Sequence, residues 1–205
     1  MDGPEWNAVS DEFLPVALRW RDRGHRDVLD LGCGVGRHSL LLAQLGMSVT
    51  ASDISTSGLA KLEQGARERG LSDFIETVAV DMLELSLPVD SFDAIVAFHS
   101  IYHTDTTGLR TVLAAMRRWL RPGGDLFVTF NSKRSPDFGR PEDTVLDPCA
   151  IVKTSGSETG IPHTFVNYED IVSLMDGFSL RRARLVQDIY DSGSKIGWHY
   201  FIEAE

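Results

Sequence analysis

A mostly parallel α/β sheet with helices on both faces is the fold class that this 205-residue sequence predicts. Three observations point there. Strand-like and helix-like segments alternate from residue 27 to residue 131. The strand candidates are continuous apolar runs, as expected where a parallel sheet is covered on both sides. A glycine-rich turn, "DLGCGVGRHS" (30–39), links the first strand to the first helix of the series.

The elements follow in order. "SDEFLPVALRWRDRG" (10–24) has helical apolar spacing, with Ser10 as the expected N-cap and Pro15 in the first turn, so residues 1–26 read as an N-terminal cap. "DVLDL" (27–31) is the first strand, and "VGRHSLLLAQLG" (35–46) is a helix closing on Gly46. "MSVTASD" (47–53) is the second strand, "STSGLAKLEQGARERG" (55–70) a helix, and "IETVAVD" (75–81) the third strand. "FDAIVAFHS" (92–100) is the fourth, followed by a helix over 109–124 that Pro122 and two glycines end. "DLFVTFN" (125–131) is the fifth strand.

Residues 132–163 break the alternation with four prolines and many polar turn residues, so this stretch is expected to be an insertion or lid on the substrate side. "YEDIVSLMDGF" (168–178) is a short helix. "LRRARLVQDIYDS" and "KIGWHYFIEAE" read as two strands turning at Asp191–Gly193, an antiparallel closing hairpin. The whole chain, 1–205, is expected to be one elaborated domain.

Composition narrows the function classes. A net charge of −10 argues against a general nucleic-acid binder, which needs a basic footprint. No run of about 18 apolar residues is present, so no membrane span is expected. "MDGPEWNAVSDEF" has neither a basic start nor an apolar core, and a reduced, cytoplasmic protein is the expectation. With two cysteines, Cys33 and Cys149, and no His/Cys ligand spacing, no metal is expected.

The glycine turn raises a chemical question. Gly32, Gly34 and Gly36 let the backbone approach a ligand at the carboxyl edge of the sheet. The place where a dinucleotide turn carries its last glycine is Arg37, and a carboxylate, Asp30, precedes the turn. A carboxylate is a poor neighbour for pyrophosphate and a good one for a cationic amine or for water around it. Asp53 ends the second strand where it can accept from both hydroxyls of a ribose. Asp81 ends the third where it can accept from an exocyclic amine, with Met82 beside it for a backbone amide and an apolar face. Amine, ribose and adenine without phosphate describe S-adenosylmethionine.

"VLDLGCGVGRHSLLLAQLG", "VTASDIS", "VAVDM", "FDAIVAFHSIYH" and "LRPGGDLFVTF" together resemble the class I S-adenosylmethionine-dependent methyltransferases, nearest to the small-molecule, tellurite-resistance type. The resemblance covers roughly residues 5–131 and, more weakly, the end of the chain. It implies a Rossmann-like, seven-stranded, mostly parallel sheet closed by an antiparallel C-terminal hairpin. It implies that Asp30 and the turn Gly32, Cys33, Gly34 and Gly36 face the methionine part of the cofactor, that Asp53 with Ile54 takes the ribose side, and that Asp81 with Met82 takes the adenine. Phe98, with His99 and Ser100, would line the methyl-transfer site.

The acceptor is expected to be a small molecule, without nucleic acid or membrane as partner; a homodimer is compatible with the sequence. Substrate-side candidates are His99, Tyr102, His103 and His163, with His199 beyond them. If 99–104 form a helical turn, His99 and His103 share a face, but His-x-x-x-His lacks a third metal ligand. His38, inside the cofactor helix, is expected to be packed or solvated there, and Arg37 to pair with an acid or with the cofactor carboxylate. Trp6 is a candidate flap. Two rivals stay open: a cofactor-binding protein without catalysis, and an NAD-dependent enzyme, against which Arg37 and Asp30 both count.

Overall fold

The structure is a computed structural model that describes residues 8–156, 158–190 and 195–205. Two compact units emerge: the chain up to Phe98 together with Arg118–Phe127, and His99–Arg117 together with Val128–Glu205.

In the first unit, β1 (Asp27–Leu31) lies between β2 (Ser48–Asp53) and β4 (Phe92–Ala97), and all three run parallel. β3 (Ile75–Ala79) extends the sheet beyond β2, giving the order β3-β2-β1-β4 and then β5 (Leu120–Ser132). Register does the work that function needs. Leu31 pairs with Ser52 and Asp53 with Ala79, so the carboxyl ends of three strands finish at one edge. Val28, Leu29, Ala51, Ile95 and Val96 are fully buried, as unbroken apolar strands require. Each of the Val, Leu and Ile side chains among them is worth about 1.5–3 kcal/mol.

Helices cover this sheet. α1 (Leu14–Asp22) buries Val16, Ala17 and Trp20, and Phe13 just before it packs edge-on to Trp20 at 5.4 Å. Arg23 and His25, just after it, reach Asp125 at 2.6 and 2.7 Å and tie the segment to β5. α2 (Arg37–Gln44) begins on left-handed Gly36, and α3 (Thr56–Glu68) begins on Ser55, whose hydroxyl accepts the Gly58 N–H.

The second unit holds most of α4 (Thr106–Trp119) and the later residues of β5. Asp105 accepts from Gly108 N–H and Asp147 from Thr106, so two carboxylates fix the start of α4. β6 (Thr144–Val145), β7 (Ala150–Val152) and β8 (Pro162–Val166) form an antiparallel ribbon, and β8 joins β5 in parallel through Asn131–Phe165 and Ser132–Val166. α5 (Tyr168–Leu174) opens with a reciprocal cap between Asn167 and Asp170. β9 (Leu180–Tyr190) and β10 (Lys195–Ala204) form the antiparallel hairpin, with β10 also against β5.

All seven expected strands are present. The segment 132–163, read as irregular from its prolines, adds β6, β7 and the start of β8. Its polar turn residues sit between short strands rather than replacing them. The fourth helix starts and stops earlier than expected, and β5 follows it directly from Leu120, with Gly123 taking φ +75° inside the strand span. Ser10 is not the cap of α1: its hydroxyl accepts from Glu12, and the helix starts at Leu14 with Pro15 in its first turn. The expected turn at Asp191–Gly193 and Trp6 lie outside the described residues. Among those described, no helix is long and apolar enough to cross a membrane.

Candidate active site

The glycine turn is held by strand ends. Gly32 and Cys33 both donate to the Ser52 carbonyl, at 2.8 and 3.0 Å, and Gly36 donates back to Cys33 at 2.9 Å. Gly32, Gly34 and Gly36 have φ of +73°, +59° and +80°, a region where a Cβ is strained. They differ in surroundings. A Cβ on Gly36 would strike Leu62 of α3 at 2.3 Å, whereas one on Gly34 would meet nothing within 4 Å. The Gly34 carbonyl is itself crowded by α3, since a Cβ on Gly58 would lie 2.7 Å from it.

Three acids lie at or near the carboxyl ends of β1, β2 and β3. Asp53 accepts the Gly34 N–H through one oxygen and the Ser55 N–H through the other, both at 2.7 Å. Its role as a helix cap is excluded, because Ser55 holds that position. Asp30 is 2% exposed, and its carboxylate accepts the Ser39 hydroxyl at 2.6 Å. Burial pushes its pKa up to about 6, against the stabilising hydrogen bond from Ser39 and the charge of Arg37. Asp81 lies just past β3, where its carboxylate accepts the Leu83 N–H at 2.8 Å and Met82 starts a turn. Ile54, directly after Asp53, is 71% exposed, a large apolar side chain left uncovered at this edge.

Cys33 is buried, and burial raises its thiol well above the usual range, which removes it as a nucleophile. Of the two readings for His38, packed or solvated, the structure has it packed: its ring lies 4.7 Å from Phe13 and 4.7 Å from Phe98, and burial lowers its pKa to about 3. Phe98 stacks on Phe127 at 6.3 Å and carries the Arg37 guanidinium 4.9 Å from its ring centre. Arg37 also donates to the Ala8 carbonyl at 3.2 Å.

The second unit gathers the histidines. His99 takes φ +53°, and its backbone N–H donates to the buried Thr129 hydroxyl at 2.6 Å. Residues 100–103 close a turn through His103 N–H and Ser100 O rather than a helix, which separates the two histidines. His99 stacks on His199 at 4.2 Å, while His103 packs edge-on to His163 at 4.8 Å. Tyr102 lies between them, 6.2 Å from His99 and 4.7 Å from His103. Glu158, which the sequence did not single out, contacts both His103 and His163, at 3.4 and 3.0 Å.

Residues 28–124 match the family model of the methyltransferase domain. The chain is 37% identical over 106 residues to methyltransferase GfsG of Streptomyces halstedii, covering 51% of this chain and 37% of that protein. The ubiquinone biosynthesis O-methyltransferase of Paraburkholderia phytofirmans is 24% identical over 198 residues, 95% of this chain and 82% of that one. Among solved structures, a Burkholderia thailandensis 1,6-didemethyltoxoflavin-N1-methyltransferase with bound S-adenosylhomocysteine superposes with TM-score 0.68 at 18% identity, over 95% of this chain and 77% of that one. The chain thus spans well under half of GfsG.

Proposed function

We propose that the chain is an S-adenosylmethionine-dependent methyltransferase that methylates a small molecule. The observation that carries it is the glycine turn with its three acids at the ends of β1, β2 and β3, within a methyltransferase domain.

The residues present fit that cofactor. Gly34 has open space where a side chain would stand, and Ile54 offers an uncovered apolar face beside Asp53. Asp30, Gly32, Cys33, Gly34 and Gly36 would hold the methionine end, Asp53 and Ile54 the ribose, Asp81 and Met82 the adenine, with Phe98 at the reacting end. The negative charge of Asp30 favours a cationic amine, and Asp53 offers carboxylate lone pairs to hydroxyls. When bound, the cofactor supplies a methyl group on a cationic sulfur.

What the protein then contributes is alignment. Holding acceptor and methyl donor in line is worth up to about 7–11 kcal/mol in favourable intramolecular reactions. His99 follows Phe98 directly in sequence, and its strained backbone is fixed by Thr129. His99 and Tyr102 are the proposed acceptor contacts, with His103 and His163 as further substrate-side residues held by Glu158. A hydroxyl or amine acceptor needs a base, and an imidazole at this position supplies one. The relatives named as methyltransferases of small molecules support a small acceptor; a cytoplasmic location and a homodimer are proposed alongside it.

Calorimetric titration with S-adenosylhomocysteine and with NAD tests the cofactor. Tight binding of the first and none of the second is expected; the reverse order sinks the reading. Turnover on a panel of phenols, amines and thiols separates the enzyme from a catalytically silent binding protein.

A further inference from the structure

His103, Glu158 and His163 come from three separate pieces of the second unit. His103 follows the turn after β4, Glu158 lies between β7 and β8, and His163 is in β8. Each offers one ligand atom, and these three atoms lie within 4.8 Å of one another. The measured edges are 3.4 Å from His103 Nε2 to one Glu158 oxygen and 3.0 Å from His163 Nε2 to the other. Ligand atoms about 2.0–2.2 Å from a tetrahedral metal stand roughly 3.3–3.6 Å apart, so the cluster needs little movement to close on an ion.

The hydrogen bonds of His163 make the case sharper. This ring is 1% exposed. Its Nδ1 sits 2.9 Å from the Ile161 carbonyl, which can only accept, so Nδ1 carries the proton. In the neutral ring, Nε2 then presents a lone pair to a Glu158 oxygen, an acceptor facing an acceptor. A proton on Nε2 or on the carboxyl, or a metal cation between them, resolves that contact. A backbone carbonyl on Nδ1 is also the arrangement that orients metal-bound histidines.

We infer that His103, Glu158 and His163 form a binding site for a borderline divalent transition cation such as Zn²⁺. Two imidazoles and a carboxylate match that ion class, and three protein ligands leave a coordination position for water or a ligand heteroatom. This departs from the expectation of no metal: the sequence paired His103 with His99, whereas the structure sets His103 beside His163 and Glu158. Lys153 competes for the same carboxylate: its ammonium lies 2.7 Å from Glu158 Oε2 and 3.3 Å from Asp137. A bound cation displaces the ammonium from Glu158 and leaves it to Asp137. The site shares His103 and His163 with the proposed substrate side, but the binding of an ion does not rest on methyl transfer.

The test uses the full chain, untagged and stripped with a chelator, titrated with Zn²⁺ by calorimetry and with Co²⁺ by visible absorption. One ion per chain is expected. Losing even an outer-shell partner typically costs about 10–100-fold in metal affinity, so E158Q and H103Q should each cost at least about tenfold. They should also abolish the tetrahedral Co²⁺ spectrum, while K153M, which removes the competing ammonium, should tighten binding. His103 is partly exposed, so H103Q is the variant least burdened by folding defects. Identical isotherms for the wild type, E158Q and H103Q, or no uptake by the wild type, would overturn the site. Neither measurement needs cofactor or acceptor, so its failure is separate from a failure of methyl transfer.

Discussion

The Asp53 carboxylate, at the end of β2, accepts the N–H of Gly34 at 2.7 Å, so the acid proposed for the ribose also pins the middle of the glycine turn. Binding and turn geometry therefore rest on one side chain. Asp53→Ala should weaken S-adenosylhomocysteine and adenosine alike, and should also destabilise the fold by about 1–3 kcal/mol, because an amide loses its charged acceptor. Calorimetry together with chemical denaturation reads both effects. Unchanged affinity for both ligands would remove Asp53 from the ribose site.

Asp30 addresses a different part of the ligand. Asp30→Asn should weaken S-adenosylhomocysteine more than adenosine, since only the former carries the amine. Because the folded-state pKa of Asp30 is about 6, its charge forms as pH rises through that value. Affinity of the wild type for S-adenosylhomocysteine should accordingly rise between about pH 5 and 7 and stay flatter in the Asn variant. Equal losses for both ligands would make Asp30 purely structural.

Two buried groups set opposite stability slopes. Asp30 is raised from 3.8 to about 6, so the folded state holds its proton more tightly, and the stability this gives at low pH is lost as pH rises through 6. That shift is worth about 3 kcal/mol. His38 is lowered from 6.5 to about 3, so its contribution is present above 6.5 and is lost as pH falls toward 3. Urea denaturation at pH 5 and pH 8 should show Asp30→Asn gaining stability relative to the wild type at both, with the larger gain at the higher pH. A pH-independent difference would contradict the burial cost assigned to Asp30.

Gly34 and Gly36 separate function from folding. Gly36→Ala meets both a left-handed backbone and Leu62, so it should lose about 1–3 kcal/mol from crowding beyond the backbone strain. Gly34→Ala has only the strain, about 1–2 kcal/mol, yet it fills the space proposed for the cofactor. Its melting temperature should change less than that of Gly36→Ala while its S-adenosylhomocysteine affinity falls more. The reverse pattern would place the ligand elsewhere.

Thr129→Val removes the hydroxyl that accepts the His99 amide. About 1–3 kcal/mol of stability should go with it, near 2–4 °C in melting temperature per kcal/mol for a chain of this size. Turnover should fall further than stability alone explains, because the strained φ of His99 loses its anchor. A variant with wild-type turnover would show that this conformation is incidental.

Much of this protein is legible in local pattern. Continuous apolar runs specified β1, β2 and β4, and the Gly-x-Gly-x-Gly turn with Asp30, Asp53 and Asp81 located the candidate cofactor edge, because parallel register brings consecutive strand ends together. The strands within 132–163 were hidden, since β6 and β7 are only two and three residues long and carry too little period to read. Glu158 was hidden for another reason: a lone glutamate in a polar stretch gives no signal until β8 sets His163 beside it.

By itself the sequence determined the alternating α/β order, the glycine turn and which acids end which strands, all properties of neighbouring residues. Only the tertiary structure decided that Asp53 binds Gly34, that His99 pairs with His199 while His103 pairs with His163, and that Glu158 joins those last two. Those relationships join residues far apart in sequence, and their distances are set by strand pairing and burial, which no local spacing encodes.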